Sequence, residues 1–276
     1  MFAEIRHVAI YTENYDRSAE FYKTVLGMKQ VTSGMADENG KRDPKRGFLS
    51  DGVIELALLR RDAGDRTGLD HFGFQVEDSA TAVERIKENF PDLLIRQSLD
   101  IVPFAERRVH DPLGVSFDIS QKGVTKEKAS RYLPVYKEEG WDEPRQFNHL
   151  AIRVNRPDRC AKMFKKVFEL SDVPDYVGEG VCLTDGRSHL IIRPCSTTSY
   201  NTMRNGLEHI GFKVEDWDAV QSRLEEISKI FPMAASPKID FPHRSFGEIT
   251  RKTIDECPFG KHAVSDPNGV LIDLAT

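Results

Sequence analysis

Features that would place this chain in several large protein classes are scarce or missing. Cysteine is rare and one-sided: only Cys160, Cys182, Cys195 and Cys257 occur, all in the second half and with no Cys-x-x-Cys pair. That usage reads as free thiols of a reducing compartment, not as a disulfide framework. No apolar run approaches the roughly 20 residues that a membrane span requires. Met1-Phe2-Ala3-Glu4-Ile5-Arg6 runs directly into a strand pattern, without the apolar stretch of a signal peptide. An excess of basic residues is missing as well, since 39 Lys and Arg face 44 Asp and Glu for a net charge of -5, so nucleic acid is excluded as an expected partner. With 39% hydrophobic and 30% charged residues over 276 positions, the expectation is a cytoplasmic globular enzyme or binding protein of two ordinary domains. A small-molecule partner is expected, a membrane is not, and homo-oligomerisation is left open.

What the chain does have is a repeat. Arg6-His7-Val8-Ala9-Ile10, Asp70-His71-Phe72-Gly73-Phe74, Asn148-His149-Leu150-Ala151-Ile152 and Glu208-His209-Ile210-Gly211-Phe212 each set a histidine at the head of an alternating apolar run. Each run is followed by a polar turn and then a helical pattern. In the first helix Ala19, Phe21, Tyr22, Val25 and Leu26 share a face, Asp16 or Ser18 caps the start and Gly27 ends it. Later helices are expected at about 79–90, 157–169 and 217–231. The turns Asp111-Pro112-Leu113-Gly114 and Asp266-Pro267-Asn268-Gly269 deliver closing strands. The fold class is therefore α+β: four βαβββ modules, paired into two domains with curved, barrel-like mixed sheets. The domains are 1–122 and 147–276, joined by a charged linker at 123–146 that holds Pro134, Gly140 and Pro144. The long stretch from Pro232 to Gly260 is a candidate lid.

Strand parity sorts the side chains. Val8 and Ile10, Phe72 and Phe74, Leu150 and Ile152, Ile210 and Phe212 fall on one face, suited to packing against helices. The histidines fall on the other, as do Glu55, Asp118 and Asp273 among their apolar neighbours. The first half so offers His7, Glu55, His71 and Asp118, and the second His149, His189, His209 and Asp273. Neutral imidazoles and carboxylates are ligands of Fe(II), Mn(II), Ni(II) or Zn(II), and two His with one carboxylate form the facial set of non-haem iron oxygenases. A single such His is ordinarily a satisfied strand residue. Recurrence at fixed parity beside carboxylates is what turns these into metal candidates. Arg187, Arg193 and Lys213 are candidates to orient an anionic substituent on a substrate.

At these residues the chain resembles the vicinal oxygen chelate superfamily, which includes glyoxalase I, bleomycin and fosfomycin resistance proteins, methylmalonyl-CoA epimerase and type I extradiol dioxygenases. The resemblance is carried by the helix text from Asp16 to Met28, by the His-bearing strands, and by the Asp-Pro-x-Gly-x-x-x-Asp segments Asp111 to Asp118 and Asp266 to Asp273. It implies a metal on His149, His209 and Asp273 in the second half, with His189 as the acid–base residue of an extradiol enzyme. It also implies a second, glyoxalase-like ligand set in His7, Glu55, His71 and Asp118. In two departures, Asp stands where the third ligand is usually Glu, and Ala263 lies near the position of the extradiol tyrosine, which leaves His243 or His262 as substitutes. The function implied first is an Fe(II) or Mn(II) dioxygenase that opens a catechol-like ring with O2. The alternatives are a glyoxalase-, epimerase- or lyase-like metalloenzyme and a metal-free binding or resistance protein.

Overall fold

The structure is a computed structural model that describes residues 2–34, 43, 46–61, 66–97, 103–112, 114–140, 146–195, 205–230, 257 and 259–276. His243 and nearly all of the Pro232–Gly260 stretch lie outside the described residues.

The first module comprises β1 (Ala3–Thr12), α1 (Tyr15–Leu26), β2 (Lys29–Gln30), β3 (Leu49–Ser50) and β4 (Glu55–Arg60), and the second β5 (Gly68–Val76), α2 (Ser79–Asn89), β6 (Leu94–Gln97), β7 (Arg107–His110) and β8 (Phe117–Gln121). A short helix α3 (Lys126–Ala129) stands in the connection. The third module holds β9 (Phe147–Val154), α4 (Pro157–Phe168), β10 (Ser171–Asp172), β11 (Val181–Thr184) and β12 (His189–Pro194). The fourth holds β13 (Gly206–Lys213), α5 (Trp217–Ile230), β14 (His262–Ser265) and β15 (Leu271–Ala275).

Two mixed sheets result, in the orders β2-β3-β4-β1-β5-β8-β7-β6 and β10-β11-β12-β9-β13-β15-β14. At the centre of each, the opening strands of its two modules pair antiparallel, and each opening strand pairs in parallel with the closing strand of its own module. The expected barrel-like closure is not reached. Edge strands β2 and β10 have two residues each, too few ladder bonds to seal a sheet onto its far edge.

Local chemistry explains the helix boundaries. Asn14, not Asp16 or Ser18, caps α1, its Oδ1 accepting from the Arg17 N–H at 3.1 Å. Ser18 instead exchanges a hydrogen bond with the Thr12 hydroxyl at 2.7 Å. Gly27, at φ 65°, ends the helix in the left-handed conformation that glycine adopts without strain.

The apolar parity positions Val8, Ile10, Phe72, Phe74, Leu150, Ile152, Ile210 and Phe212 are all buried in one core shared by both sheets. Phe164 and Phe168 of α4, from the second half, pack on Phe72, Phe74 and Phe117 of the first sheet, with Phe74 and Phe168 stacked at 4.2 Å. Helices therefore lie between the sheets, and the histidine faces point away from each other.

Two aspartates lock the halves reciprocally. Asp51 Oδ1 accepts from the N–H groups of Val53 and Ile54, while its Oδ2 accepts from Phe147 N at the start of β9 at 2.6 Å. Asp185 repeats the arrangement in the opposite sense: Oδ1 accepts from Arg187 and Ser188, and Oδ2 accepts from Ile5 N near the start of β1 at 2.7 Å. Each opening strand is thus positioned by the other half. Asp51→Ala strands several buried donors, each worth about 1–3 kcal/mol when left unpaired. Urea unfolding should show a loss of at least that size in a single transition, because the core is shared; two separate transitions would contradict the common core.

Candidate metal centre

Strict alternation would send the residue before each repeat histidine to the opposite face of the sheet. The strands do otherwise. In the first sheet the register passes from Ile5↔Phe74 to His7↔Gly73 and from Ala9↔His71 to Ile10↔Leu69, leaving Arg6 and Asp70 as bulged residues. The second sheet has the same slips at Asn148 and Glu208. A bulge re-aims side chains locally. Here it brings the preceding residue to the histidine's side: Asp70 Oδ2 lies 2.5 Å from His71 Nδ1, and Asn148 Oδ1 lies 3.4 Å from His149 Nδ1.

A glycine stands between the first histidine and the closing aspartate in each sheet, as His7↔Gly73↔Asp118 and His149↔Gly211↔Asp273. A Cβ on Gly211 would fall 1.9 Å from the His149 ring, so only glycine lets that imidazole lie across β13 toward Asp273. His149 and His209 bring their Nε2 atoms to 3.2 Å, and His149 Nε2 lies 3.4 Å from Asp273 Oδ2. All three residues are at most 1% exposed. Among the described residues, neither oxygen of Asp273 meets a hydrogen-bond donor other than the Cys257 thiol, and His209 Nδ1 meets no partner. Burial and the neighbouring His149 push the His209 pKa well below its usual value, so the ring is neutral, as a ligand must be. A buried carboxylate facing two converging imidazoles is a donor set that fits a divalent cation.

The wall of this site is apolar. Ala151, Cys182, Ile191 and Cys257 form its buried part, with Val173, Tyr176 and Phe259 alongside. His189 is in register with His149 and half-buried, stacked on Phe259 at 4.5 Å. Its Nδ1 lies 3.3 Å from the Asn148 carbonyl, and burial lowers its pKa.

The equivalent set in the first half is built alike and closed differently. His7 and His71 approach to 3.2 Å between Nε2 atoms, and His71 Nε2 lies 3.1 Å from Asp118 Oδ2. Into this cluster comes Arg108, whose Nε and Nη2 donate to the two Asp118 oxygens at 2.8 and 2.9 Å, with Nη2 also 2.7 Å from His71 Nε2. Burial would raise the Asp118 pKa, but Arg108 and His71 outweigh it and hold the carboxyl well below the usual carboxylate range. Burial and the adjacent His71 push His7 down to about 3. Glu55 is claimed by Arg6, whose Nε lies 2.8 Å away, although burial still pushes the carboxyl up to about 8. Over this face lie Phe48, Phe104, Tyr132 and Tyr136, the two tyrosines stacked at 4.0 Å. Tyr132 and Tyr136 come from the 123–140 connection, which so covers the first histidine face.

Of the sequence candidates, His149, His209 and Asp273 converge, with His189 beside them. Arg193 is buried on the same face in register with Arg153, near Glu179 at 3.1 Å and Glu208 at 3.8 Å. Arg187 is not in the cavity: it pairs with Glu4 of the first half at 2.9 Å. Lys213 is exposed at the end of β13. His262 pairs with Leu274, a core position, and stacks on Trp217 at 3.9 Å, so it faces the helices, away from Asp273. Cys257, Arg108, Arg6 and Arg153 are functional-face residues that composition and parity do not single out. The one available signal was for Arg108, which precedes Asp118 by a hairpin's length.

Removing the guanidinium that neutralises Asp118 should expose the first cluster as a latent cation site. Arg108→Ala is expected to cost about 3 kcal/mol in the presence of chelator, as for other broken buried pairs. Added divalent metal should recover most of that loss, with one more equivalent bound than in the parent. Unchanged stability and stoichiometry would show that Arg108 does not fill this role.

Residues 4–114 match the family model described as Glyoxalase/Bleomycin resistance protein/Dioxygenase superfamily. Among curated proteins, the chain is 26% identical over 172 residues to a lactoylglutathione lyase of Arabidopsis thaliana, covering 58% of this chain and 52% of that protein. A probable chloroplastic lactoylglutathione lyase of the same plant is 25% identical over 187 residues, 62% of this chain and 47% of the relative. The chain spans about half the length of these curated relatives. Among solved structures, the 2,3-dioxygenase LapB from Pseudomonas sp. KL28 superposes with a TM-score of 0.56 at 17% identity, covering 98% of this chain and 91% of that one. A Mn(II)-bound glyoxalase from Novosphingobium aromaticivorans gives 0.58 at 13% identity, covering 99% and 81%. Both likenesses are of fold. Residues 4–114 thus carry the match to the glyoxalase/bleomycin resistance protein/dioxygenase superfamily model, and the chain as a whole shares the fold of these solved structures.

Proposed function

We propose that this chain is a divalent-metal enzyme of extradiol type, which opens the ring of a small catechol-like diol with O2. The observation that carries the proposal is the buried set of His149, His209 and Asp273, with His189 on the adjoining strand. These three would hold the metal, Fe(II) or Mn(II) for this chemistry and Ni(II) or Zn(II) for its rivals. The bound metal would supply Lewis acidity and a common anchor for two neighbouring substrate oxygens and O2.

The chain's own residues do the rest. With Nδ1 donating to the Asn148 carbonyl, His189 keeps the lone pair of Nε2 for a substrate proton. Its lowered pKa keeps the ring neutral and able to accept that proton at ordinary pH. Phe259 fixes the ring plane by stacking and shields that side from water. Four residue pairs further along the strands, about 13 Å at some 3.3 Å per residue, Arg153 and Arg193 set positive charge on the same face. There they would orient an anionic substituent, sharing Glu208 and Glu179.

A lyase or isomerase of glyoxalase type is the second reading. It is favoured by the curated relatives and by Cys257, whose Sγ lies within the ligand cluster. Metal analysis of the purified protein followed by oxygen uptake on a panel of catechols separates the readings. Iron or manganese with catechol-dependent uptake supports the dioxygenase, nickel or zinc without uptake supports the second reading, and protein without metal points to a binding role. Within the first reading, His149→Ala should lose the metal. His189→Ala should keep it and lower turnover about 10²–10⁴-fold, the usual range for a positioned proton-transfer group. Metal loss in His189→Ala as complete as in His149→Ala would make His189 a ligand and end the dioxygenase assignment.

A further inference from the structure

We propose that the Cys257 thiolate is a fourth protein ligand to the metal of the second half, making the site His149, His209, Asp273 and Cys257. This inference rests on the metal reading of that cluster. Cys257 Sγ lies 3.7 Å from His149 Nε2, and the four ligating atoms all lie within 4.8 Å of one another. Tetrahedral zinc with bonds of about 2.0–2.1 Å to nitrogen and 2.3 Å to sulfur has ligand-to-ligand edges of roughly 3.3–3.6 Å. The three edges from His149 Nε2 to His209, Asp273 and Cys257, at 3.2, 3.4 and 3.7 Å, are close to that size, and the other three lie within 4.8 Å. The thiol does not stand alone as evidence, because Asp273 is buried beside it, and among the described residues its oxygens meet no hydrogen-bond donor other than that thiol.

The chain around Cys257 is held where a ligand would need it. Phe259 contacts the rings of both His149 and His189, at 5.4 and 4.5 Å between centroids. Gly260 lies so close to Asp273 that a Cβ there would fall 1.3 Å from Oδ1. A larger residue at 260 would push the aspartate or that backbone away. Phe259 and Gly260 therefore pack directly on the ligand residues to which Cys257 is adjacent. On binding, the thiol proton leaves to solvent and the sulfur lone pair forms the metal bond. A thiolate shifts preference toward Zn(II) and Co(II), and a fourth protein ligand leaves fewer positions for substrate oxygens than a three-ligand facial site. A sulfur ligand would therefore favour the second reading of this site, a Lewis-acid reaction at a carbonyl or chelating pair, over the O2-dependent one.

Cobalt is the probe. The parent protein loaded with one equivalent of Co(II) should show a sulfur-to-cobalt charge-transfer band in the near ultraviolet. Cys257→Ser should lose the band, still bind Co(II), hold it at least about tenfold more weakly in chelator competition, and release one proton fewer per metal. Cys182→Ser, a buried cysteine of the same wall, should keep the band. X-ray absorption on the zinc-loaded parent needs no variant, and should find one sulfur at about 2.3 Å. Bound metal with neither the band nor the sulfur shell would overturn the inference and leave the three-ligand reading intact. A parent that takes up no Co(II) at all, like His149→Ala, would overturn both.

Discussion

A carboxylate sealed inside a sheet face must be met by positive charge, and the organisation of both halves follows from how that need is satisfied. Asp118 is met by the Arg108 fork, with two short hydrogen bonds and a third contact to His71. Asp273 occupies the same place in the second sheet with no such arginine among the described residues. Leaving an ionised carboxylate buried and alone is costly on any scale of desolvation. The same frame of two histidines and an aspartate is thus closed by an internal salt bridge on one side and carries no such arginine among the described residues on the other, where the proposed cation would take its place.

Much of this was legible in the sequence, because the strands alternate faithfully where the core demands it. Val8, Ile10, Phe72 and Phe74 had to face helices, which fixed the opposite face for Glu55, Asp118 and Asp273 and so gathered the polar set. The positions of Arg6 and Asn148 were not legible. They depend on one-residue register slips, and a slip is decided by hydrogen bonds between strands distant in the chain. Arg108 was hidden for a similar reason. Arg107 and Arg108 are consecutive, and only the pairing Arg108↔Asp118 decides which of them enters the cluster. Arg187 and His262 carried suitable chemistry on the wrong surface: a turn places the first against Glu4, and the register of β14 turns the second toward Trp217.

Cys257 belongs to a different category. It lies in a loop, where periodicity has nothing to say, and its neighbourhood is set by contacts of Phe259 and Gly260 with three different strands. Its value as a marker is chemical. Among the four side chains of the cluster it is the soft donor. The first half has aromatic rings in the corresponding region, from Phe48 to Tyr136, and no thiol.

The crossed aspartates also bear on how the molecule is made. Ile5 leaves the ribosome 180 residues before Asp185, the carboxylate that receives its N–H. The first strand, which carries His7, therefore waits for the second half before its start is fixed, while β9 finds Asp51 already in place. Synthesis in this order lets the earlier half serve as a template on which the later one, with His149 two residues beyond the anchored Phe147, is laid down. Loss of either half would leave the other half's opening strand without its anchoring carboxylate, so neither half of this fold is dispensable to the other.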